Sequence, residues 1–91
     1  MFQNKKIFRK GEDIHVGNNA PEGFIETNIA EVIKILENLG ERKLWRCHVC
    51  NDLHIGTSFP SPCPTCFVED AYVEIEINEV KNLLEIKSRK P

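Results

Sequence analysis

The chain has 91 residues, 41% hydrophobic and 29% charged, with a formal net charge of −2 and a pI of about 5.9. That balance excludes a disordered chain and argues against a surface built mainly to grip phosphate backbones. No run approaches the roughly 20 apolar residues of a membrane span.

One Trp, one Tyr and five Phe leave little aromatic mass for a core, so a chain this small calls for a staple. Four Cys can supply one. Met1 to Lys10 carries charge but no apolar stretch of the kind a secretory signal needs, so the expected compartment is the cytoplasm. There disulfides are disfavoured, and paired CxxC motifs point to metal or redox chemistry.

Residues 1–25 read as an N-terminal arm with short strands. Phe2, Ile7 and Phe8 suggest one strand and Asp13–Gly17 a second, followed by a Gly/Asn/Pro turn from Gly17 to Gly23.

Residues 26–40 read as a helix. Ile29, Val32, Ile33, Leu36 and Leu39 fall at spacings of three and four, with Ile35 off the stripe. Thr27 or Asn28 offers an N-cap, and Gly40 suits a left-handed C-terminal position. The apolar face is expected to pack on the rest of the chain; docking of a partner or a second copy is the competing reading.

Residues 43–77 hold the cysteines and have few large apolar groups of their own, so their order is expected to depend on a metal. Ala71 to Ile77 alternates and predicts a half-buried strand with Val73, Ile75 and Ile77 on one face and Tyr72, Glu74 and Glu76 on the other. Asn78 is a candidate cap for a final helix running to about Lys87, with Val80, Leu83 and Leu84 inward, before a basic tail in the 78–91 segment. The whole is expected to form one compact domain.

The strongest signal is Cys47-x2-Cys50-x12-Cys63-x2-Cys66. Each CxxC can form a tight knuckle with two converging thiolates, and two knuckles together give a tetrahedral four-sulfur site that suits one Zn or one Fe. Asn51 tolerates the left-handed backbone that follows the second Cys of such a knuckle, and Phe67 suits it poorly. His48 and His54 lie near the first pair, but four Cys complete a site without them. His15 has no partner in sequence. Trp45 reads first as a core residue that also shields the metal. Glu74 and Glu76 read as a solvated strand face, as do the neighbours Glu69 and Asp70. With no nucleophile motif and a metal site closed by four thiolates, the expectation is a non-enzyme.

The run Trp45-Arg-Cys-His-Val-Cys-Asn-Asp-Leu-His-Ile-Gly56, with Pro60, Cys63-Pro-Thr-Cys66 and Tyr72-Val-Glu-Ile75, resembles the C-terminal rubredoxin-like domain of rubrerythrins. The x12 gap is that domain's; rubredoxins proper have a much longer one. The resemblance runs from about Lys43 to Ile77. It implies one iron held by Cys47, Cys50, Cys63 and Cys66 and single-electron transfer. The chain departs from the pattern at Asn51, where a Gly is usual, and at Asp52, where an aromatic is usual. One helix with Glu26, Glu31 and Glu37 cannot supply a di-iron bundle, so the resemblance implies no peroxidase activity.

The expected fold is therefore small α+β, a rubredoxin-like or zinc-ribbon knuckle module with flanking helices and a short antiparallel sheet. Two functions follow. One is an electron carrier with one Fe or Zn ion in four thiolates, serving a redox enzyme or larger complex. The other is a structural zinc ribbon acting through protein contacts, with nucleic acid disfavoured and self-association through residues 26–40 as a further option. No membrane contact is expected.

Overall fold

The computed structural model describes residues 5–84. Strand β1 (Lys6–Lys10) turns at Gly11 into β2 (Asp13–Gly17). Gly11 has φ +60°, a left-handed value that side chains resist. Strand β3 (Ile25–Thr27) leads into helix α1 (Ile29–Leu36). Strands β4 (Lys43–Cys47), β5 (Leu53–Gly56) and β6 (Tyr72–Ile75) follow, then helix α2 (Ile77–Leu83). The strands form one antiparallel sheet in the order β3-β1-β2-β5-β4-β6. No helix among the described residues is long and apolar enough to cross a membrane.

Register explains the layering. Ile14 stands opposite Ile55, Ile55 opposite Leu44, and Leu44 opposite Ile75. This aliphatic row crosses four strands on one face. Successive strand side chains point to opposite faces, so the next row, His15, His54, Trp45 and Glu74, points the other way. Val16 and Leu53 return to the first face. The first face is covered by Val32, Ile35 and Leu36 of α1 and Val80 of α2, which complete the aliphatic core. The second face carries a separate buried cluster of Cys47, Cys63, Ala71 and Tyr72, edged by Trp45 and Phe59.

Several expectations change. Residues 6–17 form the two short strands expected there, but not as an arm: β2 lies inside the sheet, and Ile14 and His15 are fully buried. Glu26 and Thr27 belong to β3, so the helix expected over residues 26–40 spans Ile29–Leu36. Asn28 caps it, its side chain accepting from the Ala30 N–H at 3.1 Å. Gly40 does take a left-handed φ of +60°, but beyond the helix end. The helix is rotated from the expected stripe. Ile35 is buried, while Ile29 and Ile33 stay more than a third exposed. An eight-residue helix crossing a sheet needs only the narrow stripe of Val32, Ile35 and Leu36.

In β6 and just beyond it, Ile75 and Ile77 pack against the aliphatic core and Glu74 and Glu76 are exposed, as expected, but Val73 is exposed and Tyr72 is buried. Tyr72 turns into the cysteine layer on the second face, while Val73 on the first face lies beyond the cover of the helices. Helix α2 starts one residue before Asn78, with Glu76 at its N-cap position. Val80 is buried and Leu83 and Leu84 pack at its margin, as expected. The expected strand seed at Phe2 and the helix end and basic tail near Lys87 lie outside the described residues.

Val32 is completely buried beneath the helix. Val32→Asp should cost at least about 3 kcal/mol, because a charge must be buried or the helix expelled. Urea unfolding measures it. An unchanged midpoint would mean that this face of α1 is not the one that packs.

Candidate metal centre

The two CxxC motifs fold alike. In the first, the Cys47 N–H donates to the Asp52 carbonyl at 2.8 Å and the Asn51 N–H to the Cys47 carbonyl at 2.9 Å. In the second, the Cys63 N–H donates to the Val68 carbonyl at 3.0 Å and the Phe67 N–H to the Cys63 carbonyl at 2.8 Å. Asn51 and Phe67 fill equivalent left-handed positions, with φ of +68° and +65°. Asn tolerates that region through local side-chain hydrogen bonding; Phe takes it at a steric cost that the paired turn overrides. The Arg46 guanidinium donates to the Asn51 side-chain oxygen at 3.1 Å and holds the first turn from outside.

The four sulfurs converge. Their Sγ atoms lie within 4.8 Å of one another. Cys47 and Cys66 are 3.6 Å apart, as are Cys50 and Cys63. A regular tetrahedron with metal–sulfur bonds of about 2.3 Å has sulfur–sulfur edges of about 3.8 Å. The donor set therefore fits one tetrahedral thiophilic ion with little adjustment. Backbone amides point at the sulfurs, including the Cys50 N–H at 3.5 Å from the Cys47 Sγ. Burial works against ionisation of Cys47, but the Cys50 and Val49 amides outweigh it and hold that thiol below its ordinary value. Burial pushes Cys50 up.

Cys47 and Cys63 are fully buried, whereas Cys50 and Cys66 reach the surface. Val49, Phe67 and Val68 form an exposed apolar collar beside them. On the inner side, the Tyr72 hydroxyl lies 3.4 Å from the Cys63 Sγ, and Phe59 stacks on Tyr72 with ring centroids 5.6 Å apart. Burial pushes the Tyr72 phenol well above its ordinary value, so it stays neutral.

A buried polar chain adjoins the sulfurs. Asp52 is completely buried. Its carboxylate accepts from the Lys5 ammonium at 3.0 Å, lies 3.1 Å from the His15 Nε2, and accepts from the Thr65 hydroxyl. Burial alone would raise its pKa; the three partners outweigh burial and hold it at about 2. The Cys63 Sγ lies 3.9 Å from the same carboxylate. His15 continues the chain, its Nδ1 lying 3.0 Å from the Nδ1 of His54. Burial, reinforced by His15, pushes His54 down to about 3, so it is a neutral imidazole near pH 7.

The cysteines predicted from spacing are thus brought together by the fold. The two candidate alternates are not at the sulfurs: His48 is exposed, and His54 turns to His15. Trp45 is half-buried against Phe59, its indole N–H donating to the Gly56 carbonyl at 3.1 Å. Glu69, Asp70, Glu74 and Glu76 are all exposed. Sequence reasoning missed His15, Asp52, Lys5 and Thr65 as a unit. The departure at Asp52, where the resembled domain has an aromatic, was the one signal of it.

Comparisons with protein-family models, with curated proteins and with solved structures find no match for this chain. The geometry bears out the coarser part of the resemblance, a four-cysteine double knuckle able to coordinate one metal ion.

Two outcomes are expected. A Cβ on Gly17 would lie 2.3 Å from the Asp52 Oδ2, so Gly17 is where the sheet makes room for the carboxylate. Gly17→Ala should destabilise the protein by about 3 kcal/mol through overpacking, read by denaturant unfolding; a neutral effect would mean that Asp52 is not seated there. Metal removal should disorder the cysteine turns and residues 57–71. The aliphatic core holds no cysteine, so amide dispersion in β1, β2 and α1 should persist. Collapse of those signals together would show that the two layers do not fold independently.

Proposed function

We propose that this chain is a small rubredoxin-like metalloprotein that holds one iron in Cys47, Cys50, Cys63 and Cys66 and passes single electrons to a partner redox protein. The observation that carries the reading is the asymmetric burial of a paired knuckle. Two sulfurs are sealed in the protein, and two reach an apolar edge. Iron in four thiolates supplies a one-electron ferric/ferrous couple.

The chain's own residues suit that task. Amides aimed at the sulfurs stabilise thiolate charge, and stabilise it more as that charge grows on reduction. The paired turns fix the four sulfurs, which keeps the rearrangement between charge states small. The Val49, Phe67 and Val68 collar lets a partner approach within one side-chain layer of Cys50 and Cys66 while excluding water. Nothing in this reading calls for the chain itself to be an enzyme, and a cytoplasmic setting agrees with four reduced thiols.

A second reading, a structural zinc ribbon, draws on a different observation. Residues 57–71 carry no regular secondary structure, and Cys63 and Ala71 are the fully buried residues of that stretch. A zinc ion alone would give such a segment a reason to order. Interaction with a protein partner would then be the function.

Metal analysis and a visible spectrum of protein from its native host separate the two. The carrier reading expects iron, thiolate-to-iron charge-transfer bands and a reversible one-electron couple. It also expects Phe67→Lys to slow exchange with the redox partner without loosening the metal, since Phe67 is 71% exposed. Zinc as the native metal, or an iron form that exchanges electrons with no cytosolic reductase, would leave the ribbon standing.

A further inference from the structure

Three electron-pair donors meet at the end of β5, away from the cysteines. Gly56 has no side chain there. The point where its Cβ would stand is 3.3 Å from the His54 Nε2, 3.3 Å from the Asp13 Cγ and 3.3 Å from the Ser58 carbonyl oxygen. No two of these atoms can be farther apart than twice that distance. The sheet sets two of them in place. Ile14 stands opposite Ile55, and one step further along this antiparallel pair brings Asp13 across from Gly56. Asp13 and His54 both line an open cleft of about 650 Å³, and Ser58 lines it with them.

The side-chain donors are held but unused. His54 is only 6% exposed, and its ring is fixed by the His15 Nδ1, 3.0 Å from its own Nδ1. Among the described residues its Nε2 has no hydrogen-bond partner, and the Asp13 carboxylate has neither a hydrogen bond nor an ion pair. No fully enclosed side-chain nitrogen or oxygen among the described residues lacks a partner, so this Nε2 opens on the cleft that His54 lines.

The kinds of atom select the ligand. A carboxylate and a backbone carbonyl offer lone pairs only. A metal ion takes a ring nitrogen by displacing the proton it carries, so the starting tautomer of His54 does not enter the choice. One imidazole nitrogen with two oxygens suits a first-row divalent transition ion, whereas magnesium and calcium take oxygen alone. An outer partner on the far ring nitrogen, the place His15 occupies, is what orients a metal-binding histidine. Lys10 is the one ammonium in the cleft lining, and it is turned to Gly23, its Nζ 3.1 Å from where a Cβ there would stand.

We propose that the His54 Nε2, the Asp13 carboxylate and the Ser58 carbonyl form a second metal site, for a first-row divalent transition ion whose remaining positions are filled by water from the cleft. The proposal does not depend on which metal the cysteines hold.

The test uses the zinc-loaded full chain, nitrogen-labelled for NMR and titrated with nickel(II), whose unpaired electrons broaden nearby amides. Expected is saturable broadening centred on Asp13, His54, Gly56 and Ser58, with no effect from the same concentration of magnesium. Asp13→Asn should weaken nickel binding by at least about tenfold, since loss of even an outer partner of a metal ligand costs that much. Gly56→Ala sets a methyl group among the three donors and should abolish binding while the other amides keep their positions. Where Gly56→Ala disturbs the fold, Asp13→Asn alone decides. Broadening that does not saturate, that centres on the exposed His48 or the cysteine turns, or that survives Asp13→Asn undiminished would each overturn the proposal. An equal response to magnesium would overturn it too.

Discussion

Burying one carboxylate sets terms for much of this molecule. Asp52 is removed from water, and an unpaired charge there would cost several kcal/mol. Its partners come from three places: Lys5 beside β1, His15 in β2 and Thr65 inside the second CxxC. Its backbone serves the first knuckle too, the Asp52 carbonyl accepting from the Cys47 N–H. One residue thus joins both cysteine turns to the N-terminal strands. Gly17 is the complementary constraint, since any side chain there would occupy the carboxylate's space. Thr65 extends the link by accepting from the Asn19 N–H at 3.3 Å, which ties the second knuckle to the loop after β2.

That linkage explains why the N-terminal residues are part of the sheet. Residues 43–77 alone would leave β5 as an edge, with unpaired backbone groups open to other chains. Here β2 covers it, pairing Ile14, His15 and Val16 with Ile55, His54 and Leu53. The seam has opposite characters on its two faces. On one, aliphatics meet under α1 and α2. On the other, two imidazoles meet each other and lead to a carboxylate.

The four cysteines and the final helix's inward residues were legible because spacing and period report local geometry. Cys-x2-Cys places two thiols on one turn wherever that turn sits, and Val80, Leu83 and Leu84 recur at a helical interval. The layer assignment was not legible. Alternation in Tyr72–Ile75 says only that neighbours face opposite ways; it cannot say that the direction of Tyr72 leads into a second packed layer or that Val73 lies beyond the first. Helix α1 was misread for a related reason. Ile29 and Ile33 match the helical period as well as Val32 and Leu36 do, and only the position of the sheet selects the buried stripe. His15 was the hardest case, because its partners lie 37 and 39 residues away in sequence. No local pattern encodes such a contact, and the substitution of Asp for an aromatic at position 52 is visible as an anomaly without revealing its cause.

The two buried layers divide the physical work. The aliphatic core contains no metal ligand, and its residues come from β2, β4, β5 and both helices. It can therefore hold the sheet whatever ion the sulfurs bind. The cysteine layer is small, with four fully buried residues, and lies on the opposite face. A metal there organises the loops more than the sheet. The same division leaves the sulfur edge free to be tuned at Asn51 and Phe67, since a change on the outer turns does not propagate into the aliphatic core. It does not leave Asp52 free. That carboxylate touches the second knuckle, the histidine pair and the N-terminal lysine together, so a substitution there disturbs the metal loops and the β2–β5 seam in a single step.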